Sequence, residues 1–306
     1  MKEKVTVFGS FVVDLMARTP HLPVPGETVK GSLFKQGAGG KGFNQAVAMA
    51  RAGSEVCFAG AVGKDGDFLL APMQSEGIDT KHVKRTQGES GHAVIQVDRN
   101  GSNCIMILSA ANGEITHADV DEVLSDFARG DLIVLQNEIS SLDYIIEKAH
   151  DIGMLVALNP SPFDGKLDVC DFSKVDYLIV NEVEGAALSG KQNWHDISET
   201  MHAMYPGVNL LLTLGENGSV YTGSDGTQTA CGIMRTEACD TTAAGDTFAG
   251  YFLSAVTEGV SVRDALEAAA VASGIAVSRP GAFPSIPYAE EVSARGRENL
   301  SAFAEA

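Results

Sequence analysis

Basic side chains are scarce in this chain: 22 Lys and Arg stand against 40 Asp and Glu, a formal net charge of −18 over 306 residues. Nucleic acids and anionic membranes require basic patches, so neither is an expected partner, and a phosphate-bearing ligand must be met by local features. Cysteine is sparse too. The five, Cys57, Cys104, Cys170, Cys231 and Cys239, lack any Cys-x-x-Cys pair and suit a reducing cytoplasm; most are expected to be small core residues. The seven histidines show no His-Glu-x-x-His spacing, which argues against a zinc site. No apolar run reaches the roughly 18 residues of a membrane-spanning helix. The short run Val5–Phe8, followed by Asp14 and no small-residue cleavage site, reads as a buried strand and not as a leader. No linker, repeat or low-complexity tract divides the chain, and 44% hydrophobic content can fill a large core, so one α/β unit over 1–306 is expected.

Short β-branched runs alternate with stretches of helical spacing. Val5–Phe8, Val56–Ala59, Leu132–Leu135, Leu155–Leu158, Tyr177–Val180 and Leu210–Leu214 read as buried strands, and segments near 41–52, 65–76, 118–128, 141–151 and 196–205 as helices. Such alternation predicts a Rossmann-like, mostly parallel central sheet with helices on both faces and ligand sites at the carboxyl ends of its strands. Residues near 11–35 and 89–109 carry period-two patterns instead, around the turn signal Asp98-Arg99-Asn100-Gly101. They read as an antiparallel element outside the main sheet.

Two segments carry chemistry. Asp240-Thr241-Thr242-Ala243-Ala244-Gly245-Asp246-Thr247-Phe248 is a small-residue turn leading into an apolar helix. Free amides at a helix start, helped by the helix dipole, suit a phosphate, and Asp246 sits where a carboxylate could take a proton from a hydroxyl. By itself the segment is equally consistent with an ordinary Asp-capped turn. Gly37-Ala38-Gly39-Gly40-Lys41-Gly42-Phe43-Asn44-Gln45-Ala46 lets backbone approach a small polar ligand closely, with Lys41 and Asn44 as donors. It fits neither the Walker pattern nor the dinucleotide fingerprint.

Together these two segments resemble the signatures of the ribokinase-like (PfkB) carbohydrate kinases. Seven further stretches follow in the family's order: Gly9-Ser10 before Asp14, Pro25-Gly26-Glu27-Thr28, Gln136-Asn137-Glu138, Leu158 to Pro162, Asn181-Glu182-Val183-Glu184, Thr213-Leu214-Gly215, and Arg279 to Ser285. The resemblance runs nearly end to end and suits the ribokinases best within the family. It implies a ribokinase-like fold whose outlying strands form a small β-sheet lid, and a homodimer joined through the lids. It implies transfer of the ATP γ-phosphate to the primary hydroxyl of a pentose, D-ribose before another sugar or a nucleoside. A catalytically silent binding regulator is the alternative outside enzymes.

By the same resemblance Asp246 is the general base, and the amides of Ala243, Ala244 and Gly245 form an anion hole. Asp14, Gly39, Gly40, Lys41, Asn44 and Glu138 read the sugar; Thr213, Gly215 and Gly218 line the nucleotide turn. Asn181 and Glu184 serve Mg²⁺ through water, and Asp240, Thr242, Ala276, Arg279, Gly281 and Ser285 surround a K⁺ ion, most through backbone carbonyls. The chain departs from the pattern at Val12, where ribokinases usually carry an Asn that bonds the sugar. Valine offers no such bond, so the substrate lacks that hydroxyl, carries a larger group there, or binds differently. Ala270 is smaller than the His or Asn often found at its position, which loosens nucleotide selectivity.

Overall fold

The computed structural model describes residues 3–304, so the ends of the expected 1–306 unit lie outside it. The first half of the chain runs β1 (Val5–Phe8), β2 (Val12–Arg18), β3 (Leu33–Gly39), α1 (Lys41–Arg51), β4 (Val56–Val62), α2 (Asp67–Ser75), β5 (Asp79–Arg85), β6 (Gly91–Val97), β7 (Asn103–Leu108), α3 (His117–Leu124), β8 (Leu132–Gln136) and α4 (Leu142–Ile152). The second half runs β9 (Leu155–Asn159), β10 (Tyr177–Asn181), α5 (Glu182–Ser189), α6 (Trp194–Met204), β11 (Asn209–Thr213), β12 (Ser219–Thr222), β13 (Gln228–Cys231), α7 (Ala244–Thr257), α8 (Val262–Val277) and α9 (Ala289–Arg295).

The main sheet has the order β13-β12-β11-β10-β9-β8-β1-β4-β5, parallel except where β12 and β13 fold back at one edge. Its central strands are apolar at nearly every position because both faces are covered. Alternate residues therefore enter different cores. Val5, Val7, Leu132 and Val134 pack with Phe43, Met49 and Phe252 from α1 and α7, whereas Phe8, Ile133 and Leu135 pack with Ile145, Ile146, Ile197 and Met201 from α4 and α6. Each such side chain contributes about 1.5–3 kcal/mol on full burial. The helices α1 and α7 touch closely: a Cβ on Gly250 would stand 2.5 Å from that of Ala48. That glycine sets the distance between the two helices that open the site.

A second sheet, β3-β2-β6-β7, stands apart from the first. It is not wholly antiparallel as the period-two pattern suggested, since β2 and β6 pair in parallel from Val12↔Gly91 to Arg18↔Val97. No hairpin joins them; β4 and β5 of the main sheet intervene, so turn geometry imposes no direction. The Asp98–Gly101 turn does join β6 and β7 as an antiparallel pair. Every residue of β7 is exposed.

Some elements differ from their sequence reading. The helix expected over 118–128 ends at Leu124, with Ser125 as its cap. The strand β5 is too polar for a buried-strand pattern because it lies at an edge, and the alanine-rich α8 shows no clean apolar stripe. The cysteines are not mostly core residues: only Cys231 is buried, and Cys104 and Cys239 are exposed because they lie on β7 and on the loop before α7. Among the described residues no helix is long and apolar enough to cross a membrane.

Candidate active site

The site begins at the start of α7. Ala243 adopts a left-handed backbone (φ 60°) that turns the chain into the helix, and no side chain caps it. Amides in a helix's first turn have no partner four residues back, so this end has the chemistry to meet an anion. Of the three amides expected to form the hole, that of Ala244 also donates to the Thr241 carbonyl at 3.2 Å. Gly245 faces open space, with nothing within 4 Å of where a Cβ would stand. The turn is clamped from behind by Asp240: its Oδ1 accepts from the amide (2.9 Å) and hydroxyl (2.6 Å) of Thr242, and its Oδ2 from the amide of Gly281 (2.9 Å). Burial pushes the Asp240 carboxyl up, but these bonds outweigh it and hold the group below the usual range.

Asp246, in the same first turn of α7, is only 8% exposed. Two amides hold it: Asn44 Nδ2 donates to Oδ2 and Gln45 Nε2 to Oδ1, both at 3.0 Å. Both partners come from α1, where Lys41, Asn44 and Gln45 stand three and four residues apart on one face. The N-cap of α1 is Gly40, at φ 105°; a Cβ there would also lie 2.8 Å from the Ser10 carbonyl, so only glycine fits.

The carboxylate of Asp14 on β2 lies against the backbone of Gly39 on β3. Glu138, just beyond β8, accepts the Lys41 amide at 2.9 Å and the Ser10 hydroxyl. Burial pushes Glu138 upward, opposed by these bonds and by Lys41 and reinforced by the charge of Asp246. Burial, then the neighbouring Glu138, raises Asp14 from 3.8 to about 6. Three carboxylates, Asp246 buried and Asp14 and Glu138 half-buried, thus stand close enough to influence one another, and each can accept hydrogen bonds from hydroxyls.

Two cavities meet at the start of α7. One, of about 260 Å³, is lined by Lys41, Asn159, Ser161, Asn181, Glu184 and Asp246. The other, of about 670 Å³, is lined by Gly215, Gly218, Arg235, Phe248, Ala270 and Gly274, among others. Thr213, Thr241, Ala244 and Gly245 belong to both.

Asn181 and Glu184 form a reciprocal cap on α5: the Glu184 amide donates to Asn181 Oδ1 (2.8 Å) and the Asn181 amide to Glu184 Oε2 (3.0 Å). Glu184 is 6% exposed, borders the smaller cavity and has no ion-pair partner among the described residues. A buried carboxylate left without a cation fits a divalent ion held through water. Around Asp240 the side-chain oxygens are already engaged, and Arg279 turns away to pair with Glu291. Its backbone amide donates to the Ala276 carbonyl at 3.0 Å, and both the amide and hydroxyl of Ser285 donate to the Ala282 carbonyl. With these side chains engaged, a monovalent ion would have to be held mainly by main-chain carbonyls.

Four residues at the site were given no role from the sequence: Gln45, Gln136 and Asn159, which stand within quoted motifs, and Arg235. Gln45 was legible in principle, because it follows Lys41 by four residues and so shares its helical face. Gln136 and Asn159 end adjacent buried strands in register, a relation that appears only once the sheet is assembled. Arg235 lies on an irregular segment with no pattern to mark it.

The sequence pattern of the pfkB family carbohydrate kinases matches residues 2–289. The chain is 35% identical to a ribokinase of Schizosaccharomyces pombe over 94% of its length and 96% of the relative's. It is 33% identical to a deoxyribokinase of Salmonella typhi, over 94% and 96%. Among solved structures, the ribokinase of Cryptococcus neoformans var. grubii in complex with ADP superposes with a TM-score of 0.86 at 30% identity, covering 97% of this chain and all of that one. The motif order and the two-sheet architecture agree with these likenesses: the chain belongs to the pfkB family of carbohydrate kinases and is a phosphotransferase that acts on a sugar.

Proposed function

We propose that the protein transfers the γ-phosphoryl group of ATP to the primary hydroxyl of a pentose, D-ribose first. The observation that carries this reading is the place of Asp246: a buried, unpaired-by-cation carboxylate at the uncapped start of α7, where the two cavities meet. In this reading Asp246 accepts the hydroxyl proton as the hydroxyl oxygen bonds to the γ-phosphorus and the bridging bond to ADP breaks. The first-turn amides, Gly245 foremost, hydrogen-bond the transferring group as its charge spreads. Asp14, Gly39, Gly40, Lys41, Asn44 and Glu138 hold the sugar hydroxyls, and the nucleotide enters the larger cavity past Thr213, Gly215 and Gly218.

Mg²⁺ would be held through water by Asn181 and Glu184, and when bound it neutralises phosphate charge. K⁺ would sit among the carbonyls near Asp240, Thr242, Ala276, Arg279, Gly281 and Ser285, behind the anion hole. The second sheet acts as a lid that keeps water from competing with the sugar. Its exposed strip Ile105, Met106, Ile107 and Leu108 suits pairing with a second copy, so we read the protein as a homodimer. The whole chain acts as one kinase unit in the cytoplasm.

One observation favours a second substrate. Val12 is 5% exposed and packs beside Gly40, with its Cγ2 3.2 Å from where a Cβ on that glycine would stand. An apolar wall at that place removes a bond to a sugar hydroxyl and suits 2-deoxyribose. The test is ADP release from MgATP with K⁺ across D-ribose, 2-deoxyribose, fructose and ribonucleosides. Turnover on ribose supports the first reading and preference for 2-deoxyribose the second; sugar binding without ADP formation would overturn both.

A further inference from the structure

The two amides that hold Asp246 are not equivalent. Asn44 keeps its Oδ1 without a protein partner, so part of its hydrogen-bonding capacity remains for a ligand. Gln45 keeps nothing in reserve. Its Nε2 donates to Asp246 Oδ1 (3.0 Å) and, at 3.4 Å, to Asn159 Oδ1, while its Oε1 accepts from Gln136 Nε2 at 2.7 Å. It is 1% exposed and borders neither cavity.

The chemistry of the partners fixes this orientation. An ionised carboxylate only accepts, so Gln45 must present nitrogen to Asp246 and its oxygen must face the other way. That oxygen requires a donor, which Gln136 supplies from the end of β8, where it is 0% exposed. Asn159 is fixed in turn by its own Nδ2, which donates to the Ile179 carbonyl at 2.8 Å. The result is a chain of amides running from two central strands through α1 to the carboxylate on α7. In it Gln136 is held by its bond to Gln45 alone, its Oε1 having no partner among the described residues.

We infer that Gln45, locked by Gln136, is a positioning residue of the transfer reaction. It holds the Asp246 carboxylate in the rotation that aims a free lone pair at the acceptor hydroxyl, without touching sugar or nucleotide. The inference rests on Asp246 being the base. Misdirection of a reacting group by about 1 Å costs on the order of 10²-fold in rate.

The test is a set of steady-state kinetics on Gln45→Met, Gln136→Met, Asp246→Asn and the double variant Gln45→Met/Asp246→Asn. Gln45→Met should lower kcat about 10–100-fold, with the KM of sugar and of MgATP within about twofold of wild type. Gln136→Met should act in the same direction by a smaller factor, because it reaches Asp246 only through Gln45. In the Asp246→Asn background Gln45→Met should cost nothing further. A rise in KM at unchanged kcat, or losses that multiply in the double variant, would overturn the inference in favour of a packing role. If Gln45→Met does not fold, Gln136→Met decides, since it leaves the Gln45–Asp246 contact in place. Full activity of Asp246→Asn would sink the base assignment itself, whereas an inactive Asp246→Asn beside a fully active Gln45→Met would sink only the positioning role.

Discussion

The larger cavity is walled mainly by small and apolar groups such as Gly215, Gly218, Ala270 and Phe248, with Arg235 and Glu216 among them. The smaller one, by contrast, mixes Ile179 and Val180 with a larger share of polar side chains such as Lys41, Asn159, Asn181, Glu184 and Asp246. A ligand in the first is selected mainly by shape and by the helix end it meets; a ligand in the second is selected by polar groups that are costly to leave unmatched. On the proposed reading, in which the nucleotide takes the larger cavity, that contrast predicts stricter selection at the polar side than at the nucleotide. The two meet at one turn, where Thr213, Thr241, Ala244 and Gly245 line both.

The most direct way to break the polar side is Asp246→Asn, which should reduce kcat about 10²–10⁴-fold, read as ADP release, while nucleotide binding by calorimetry persists. Next in size is Gly250→Val. Its added side chain would drive α7 off α1 at Ala48, costing about 1–3 kcal/mol or more in denaturant unfolding and loosening Asn44 and Gln45 from Asp246. Activity should fall further than nucleotide affinity does. Val12→Asn sharpens the contrast by adding a polar group to the acceptor side: the ratio of kcat/KM for ribose over 2-deoxyribose should rise by about three- to tenfold.

The smallest effect is a titration. Asp14, raised to about 6, would on the proposed reading accept bonds from sugar hydroxyls at both oxygens only when ionised. Sugar KM should therefore climb as pH falls below about 6, and Asp14→Asn should flatten that limb. Stability moves the other way: because the folded-state pKa lies above the unfolded value, this group's contribution is lost as pH rises from about 4 to 6. Asp14→Asn should accordingly raise Tm at pH 7.5 more than at pH 4.

The buried parallel strands were legible because each is covered on both faces and so reads as an unbroken apolar run, as in Leu132–Leu135 and Leu210–Leu212. The edge strand β5, with His82 and three basic residues in Asp79–Arg85, carries no such signal. The direction of β2 against β6 was likewise hidden, since period-two patterning is the same in parallel and antiparallel pairs. In the site, Asp246 and Asn44 announce themselves by their glycine-rich surroundings. Gln136 does not, because a polar residue at a strand end is ordinarily a solvated one.

By itself, then, the sequence determined the alternation of strands and helices, the two small-residue turns, and the residue types able to accept a proton or bond a hydroxyl. These depend on local spacing and side-chain chemistry. Tertiary structure alone decided that Asn44 and Gln45 would meet Asp246 some 200 positions away, at |i−j| of 202 and 201. It also decided that Gln136 would stand behind Gln45, and that two cavities would open on the same helix end. Those relations are set by how closely α1 packs on α7 and by strand order in the sheet, which no stretch of neighbouring residues encodes.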